Sequence, residues 1–137
     1  MVDVQKYLKI KYKLGGRGFE EGDCFNMILS FYKNELGIEL KDYEEDYKED
    51  WYLQNNFFVD LARKWGFVKV PIPRFGDVIL FKVGNYVRHC GVISNVNEFE
   101  FIHTGKDGTY KNNFVTDRQW ASRVFGFYRH KKVLNEN

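Results

Sequence analysis

The chain has 137 residues, 2 cysteines and 21 Lys plus Arg against 19 Asp plus Glu, a net charge of +2. One domain spanning 1–137 buries roughly two-thirds of its unfolded surface at this length, enough for a core without disulfides or structural metal. With 44% hydrophobic and 18% aromatic residues, intrinsic disorder is excluded, and the near-balanced charge argues against nucleic acid as a partner.

No apolar run reaches the roughly 18 residues of a membrane span, so no membrane insertion is expected. The opening MVDVQKYLKIKYK carries charges where a signal peptide needs its apolar segment, and synthesis in the cytoplasm without such a peptide is expected. Val4, Tyr7 and Leu8 share one face of a short helix within Val2–Ile10. Gly15, Gly16, Gly18 and Gly22 then mark a bending loop that lacks the pattern of a phosphate-binding loop. From Cys24, the residues Phe25, Ile28, Leu29, Phe31, Tyr32 and Leu36 predict a buried helix that Gly37 ends. KDYEEDYKED at 41–50 has no aliphatic side chain and reads as a solvated, dispensable stretch. Leu53, Phe57, Phe58, Leu61, Ala62 and Trp65 recur at helical steps up to Gly66 and predict a second amphipathic helix.

After Pro71 and Pro73 the pattern turns to strands: DVILFKV, RHCGVISNV, FEFIHTG and RVFGFYRH. Turn signals at 84–85 and 95–98 suit an antiparallel meander. Helices first and an antiparallel sheet second make an α+β domain.

Cys24 opens a helix directly after Asp23, where free backbone N–H groups and the helix dipole favour a thiolate. Strand alternation puts His89, Gly91 and Ile93 on one face and Cys90 on the other, so Cys90 is a core thiol. His103 shares a face with Phe101. A hairpin pairing the two histidines, with the Cys24 helix packed on their face, makes a nucleophile, a base and an orienting group. Asp23 reads as a helix cap and Tyr12 as a core tyrosine. His130, followed by Lys131 and Lys132, reads as exposed. Neither paired cysteines nor a short His-x-His spacing supports zinc at Cys24, His89 and His103.

These motifs in order, Tyr12 with Gly15 and Gly16, Asp23 with Cys24, Gly76 with Asp77, His89 with Gly91, and then His103, resemble the NlpC-type, papain-like cysteine peptidases of bacteria and phages. The resemblance covers about residues 10–130, and LGIEL and RVFGFYR look most like members carried in phage tail tips. It implies a cysteine endopeptidase that hydrolyses peptidoglycan stem peptides between D-glutamate and the diamino acid, without metal or cofactor. Cys24 is then the nucleophile, His89 the base and His103 its orienting group. Tyr12 is implied near the oxyanion and Asp23 near the substrate's polar end. Phage tail proteins are the implied partners, and a virion tail acting on the cell wall the implied place of action. Phe25 and Asn26 depart from the family pattern after the cysteine, which implies an altered groove floor. The alternatives are a structural tail-assembly module of the same fold and a thiol amidase or acyltransferase.

Overall fold

The computed structural model describes residues 3–42 and 57–134. A single turn, α1 (Gln5–Leu8), buries Tyr7, whose hydroxyl donates to Glu35. The glycine-rich loop is folded back on itself: β1 (Lys11–Tyr12) and β2 (Glu21–Gly22) pair in parallel, a pairing that four glycines concealed in the sequence. Helix α2 (Cys24–Phe31) begins at Asp23 and runs into a π-helical turn, Tyr32–Leu36. Gly37 closes it at φ 66°, a left-handed conformation that costs glycine little. Helix α3 (Phe57–Lys64) stops at Gly66, φ 86°, as expected. Its expected start at Leu53 and the acidic run from residue 43 lie outside the described residues. Asp42 is not simply solvated: Oδ2 accepts from Arg17 Nε at 2.8 Å and Oδ1 from Nη2 at 3.1 Å.

The sheet has six strands in the order β3-β8-β4-β5-β6-β7, every pair antiparallel. They are β3 (Phe67–Val70), β4 (Val78–Val83), β5 (Tyr86–Asn95), β6 (Glu100–Gly105), β7 (Gly108–Asn113) and β8 (Val124–His130), with a short helix α4 (Arg118–Ala121) before the last. The α+β reading holds, and the meander β4 to β6 lies where it was expected. Two strands were not anticipated. FVKV is only four residues long, and GTYKNN carries no aliphatic alternation to read.

His130 corrects an expectation. It is 3% exposed, because β8 pairs with β3 in the register Phe67↔His130. Its ring stands edge-on to Phe67 at 5.2 Å, and Nδ1 accepts from the Lys132 N–H at 3.1 Å. The neighbouring lysines mark the strand's end, not the histidine's side.

The sheet separates two apolar clusters. On one face α2 and α3 bury Phe25, Ile28, Phe31, Phe58 and Leu61 against Val78, Leu80, Cys90, Val92 and Ile102. The other face gathers Ile79, Phe81, Ile93, Phe101 and Phe114, with Trp120 packed against them. Alternation along β5 is as expected, but the helix bearing Cys24 lies on the Cys90 side and not on that of His89. The Gly76–Asp77 pair has a structural role. Asp77 holds a buried, two-pronged ion pair with Arg129, at 2.9 and 2.7 Å, which joins the start of β4 to the end of β8. Gly76 accepts from the Tyr32 hydroxyl and so ties the same corner to the helix.

Candidate active site

Cys24 is the first residue of α2 and is 6% exposed. Asp23 caps the helix: Oδ1 accepts from Asn26 N at 2.9 Å. The same oxygen accepts from Arg17 Nη1 at 3.2 Å, and Oδ2 accepts from Gly15 N at 2.8 Å. Asp23 is thus spent on the cap and on the glycine loop. Asn26 clamps that loop from below, with Oδ1 accepting from Gly18 N at 2.9 Å and Nδ2 donating to Gly18 O at 3.0 Å. Asn26 is fully buried and Phe25 stacks on Phe58 at 5.0 Å. Of the two departures from the family pattern, Phe25 therefore sits in the core, while Asn26 anchors the loop and also lines an open depression of about 640 Å³ with Arg17, Gly18 and Ser30.

Tyr12 stands 39% exposed on β1. Burial, and then the negative charge of a Cys24 thiolate and of Asp23, raise its pKa. Its hydroxyl therefore stays protonated at neutral pH. An open depression of about 460 Å³ runs from Tyr12 to Tyr110 and carries Lys9, Lys11 and Lys106 on its walls.

The two histidines meet as expected. His89 Nε2 and His103 Nδ1 lie 2.8 Å apart. They sit diagonally on one face, and the space between them exists because residue 91 is glycine: a Cβ there would lie 3.2 Å from His103 Cβ. His103 is 4% exposed and His89 half-buried. Burial and the neighbouring His103 push the His89 pKa down to about 3. Burial also lowers that of His103, against the opposing pull of Asn112 and Asp117. Both rings are neutral at neutral pH.

Three residues of this site were not read from the sequence. Asn112 Oδ1 lies 2.8 Å from His103 Nε2, and Asn112 Nδ2 donates to Asp117 Oδ2 at 3.0 Å. Trp120 stands edge-on to His103 at 4.5 Å and lies over His89 at 5.2 Å. The Asp107–Gly108 dipeptide was the available signal, since it marks a hairpin whose second strand carries Asn112 to this face.

The nucleophile candidate approaches from the opposite face of β5. Cys90 Sγ, one residue from His89, donates to the Cys24 carbonyl at 3.3 Å. Among the described residues no hydrogen bond joins the Cys24 thiol to either imidazole. The fold thus assembles two halves, a capped cysteine and a histidine pair, on adjacent residues of one strand.

The model of the NlpC/P60 family matches residues 9–129. The chain belongs to the NlpC/P60 family. This family includes cell-wall peptidases and consists generally of cysteine peptidases. Among curated relatives, the NlpC/P60 chain is 28% identical over 115 residues to the "Tail tip assembly protein K" of Escherichia phage N15, covering 81% of this chain. It spans 46% of that relative's length. The crystal structure of a protein similar to lipoprotein, NLP/P60 family, from Staphylococcus aureus subsp. aureus Mu50 matches with a TM-score of 0.59. The identity there is 22%, over 90% of this chain and 37% of the other. That likeness supports the fold alone.

Proposed function

We propose that the chain is a thiol hydrolase that cuts amide bonds of peptidoglycan stem peptides, with Cys24 as nucleophile and His89 as base. The observation that carries this reading is the neutral, hydrogen-bonded His89–His103 pair, standing one residue along β5 from the strand's contact with Cys24. His89 Nδ1 takes the thiol proton as the sulfur attacks the scissile carbonyl carbon. The oxyanion forms against the Cys24 N–H, a first-turn donor without an intrahelical acceptor, and the Tyr12 hydroxyl. His89 then returns the proton to the leaving amine as the C–N bond breaks. Water, deprotonated by the same ring, hydrolyses the thioester and frees the sulfur.

His89 is neutral at rest and not a preformed imidazolium, so the thiol proton moves to it only as the sulfur attacks. The lysines lining the Tyr12 depression suit a carboxylate-rich peptide, and the bond between D-glutamate and the diamino acid is the one we assign. The tail-tip name of the phage relative supports a tail-associated enzyme acting on the cell wall. The test is mass spectrometry of peptidoglycan digests made with the wild type and with Cys24→Ala. New free amines at the diamino acid are expected from the wild type alone; identical digests from the two proteins would overturn the reading.

A further inference from the structure

The contact between His89 Nε2 and His103 Nδ1 does not by itself decide which ring donates. A neutral imidazole has one N–H. If His103 Nδ1 carried the proton, His89 Nε2 would accept it, His89 Nδ1 would be protonated, and that nitrogen could take nothing from a thiol. Only the opposite arrangement leaves His89 Nδ1 with a free lone pair.

Asn112 does not break the tie alone either. Its amide reaches His103 Nε2 at 2.8 Å, but turned by 180° it would present an N–H₂ there and impose the unproductive arrangement. Asp117 does break it. A carboxylate only accepts, so the Asn112 Nδ2 that lies 3.0 Å from Asp117 Oδ2 is held toward it, and Oδ1 faces His103. Asp117 stands at the position preceding α4, where an aspartate ordinarily caps the first turn. Its side chain makes no cap bond and is directed to Asn112 instead. The same helix lays Trp120 against both imidazoles, limiting their access to water that could supply other partners.

We propose that Asp117 is a positioning residue that sets the tautomers of both histidines: it orients the Asn112 amide, fixes His103 as the Nε2–H form, and thereby fixes His89 as the Nε2–H form with Nδ1 free. Its relevance to turnover rests on the thiol-hydrolase reading; the tautomers themselves do not.

Long-range ¹H–¹⁵N correlation spectra of the full ¹⁵N-labelled chain at pH 7.5 test it. In the wild type both His89 and His103 are expected as Nε2–H forms. In Asp117→Asn, where the new amide can donate as well as accept, a second set of signals from the Nδ1–H form of His89 should appear. Turnover should fall about tenfold or more, as expected when a base is held in the wrong tautomer, with KM unchanged. His130, whose Nδ1 accepts from Lys132 N, is the internal reference and should not change. A wild-type spectrum with His103 in the Nδ1–H form overturns the proposal without any variant, as does an Asp117→Asn spectrum identical to the wild type. If the tautomers are as stated while the Cys24→Ala digest matches the wild type, the hydrolase reading falls and the tautomer assignment stands.

Discussion

Gly91→Ala is the substitution that should damage the histidine pair most directly. A Cβ at this position would lie 2.8 Å from the Ile102 carbonyl oxygen, 3.0 Å from Phe101 Cδ2 and 3.2 Å from His103 Cβ. The nearest of these is backbone on the neighbouring strand and cannot rotate away, so β5 and β6 must separate locally. Overpacking of this kind costs about 1–3 kcal/mol. For a chain of this size that corresponds to a fall in melting temperature of about 4–12 °C. The same separation lengthens the 2.8 Å contact between His89 and His103, so turnover should fall further than the loss of folded protein explains. Gly105→Ala on the neighbouring strand β6 is the control, because a Cβ there meets nothing within 4 Å. It should stay within about 0.5 kcal/mol of the wild type. Thermal melts by circular dichroism and turnover per folded molecule are the measurements. Equal melting temperatures and equal turnover for the two variants would refute the claim that residue 91 is glycine to make room for the imidazoles.

The remaining predictions concern charge, thiols and the buried ion pair. The His89 pKa is depressed in the fold to about 3 by burial and by His103, below an unfolded value of about 6.5, so its contribution to stability is full above pH 6.5 and is lost as pH falls toward 3. The drop in melting temperature between pH 7 and pH 4 should therefore be smaller in His89→Gln than in the wild type; equal drops would contradict it. Iodoacetamide at neutral pH should label Cys24 before Cys90, because Cys90 is fully buried and burial raises its pKa well above that of a free thiol; peptide mapping that finds Cys90 labelled first would reverse the assignment. Asp77→Asn should cost about 3–5 kcal/mol, since it leaves the buried Arg129 guanidinium without its charge partner, and chemical denaturation will measure it.

Much of the architecture was legible because apolar spacing is strong where side chains are large. Phe25, Ile28 and Phe31 marked α2, Phe58 and Leu61 marked α3, and the alternation in β4, β5 and β6 marked the meander. The side of the sheet on which α2 lies was not legible. Along β5 both faces are apolar, Cys90 and Val92 on one and Gly91 and Ile93 on the other, so the pattern defines two faces without ranking them. The histidine pair was legible from a hairpin's geometry, while its support was hidden in a polar strand. Asn112 pairs with Phe101 in the ladder, and nothing in KNN distinguishes it from its surface neighbours. Asp117 lies in a stretch between FEFIHTG and RVFGFYRH where the sequence suggested no element at all, because α4 is only four residues long. His130 was misjudged for a related reason: flanking lysines report where the chain emerges, whereas burial is decided by the partner strand.

The placement of cysteine and histidines on opposite faces makes β5 the element on which the site depends. Residue 90 touches the Cys24 carbonyl and residue 89 touches His103, so a one-residue slip in β5 would exchange the two contacts and leave neither half intact. The register is pinned on both sides of this dipeptide. Toward β4 the pairing shifts between Phe81 and Lys82, with Phe81 opposite His89 and Lys82 opposite Val87, so Arg88 is the extra residue of a bulge. Toward β6 a second shift falls between Ile93 and Asn95. Bulges bend a strand and increase its local twist, and the first lies immediately before His89. A flat strand would hold an imidazole and a thiol contact on directions nearly opposed. A strand twisted at Arg88 changes the direction in which residue 89 leaves the sheet relative to a regular ladder, while its ring stays partly buried against His103 and Trp120.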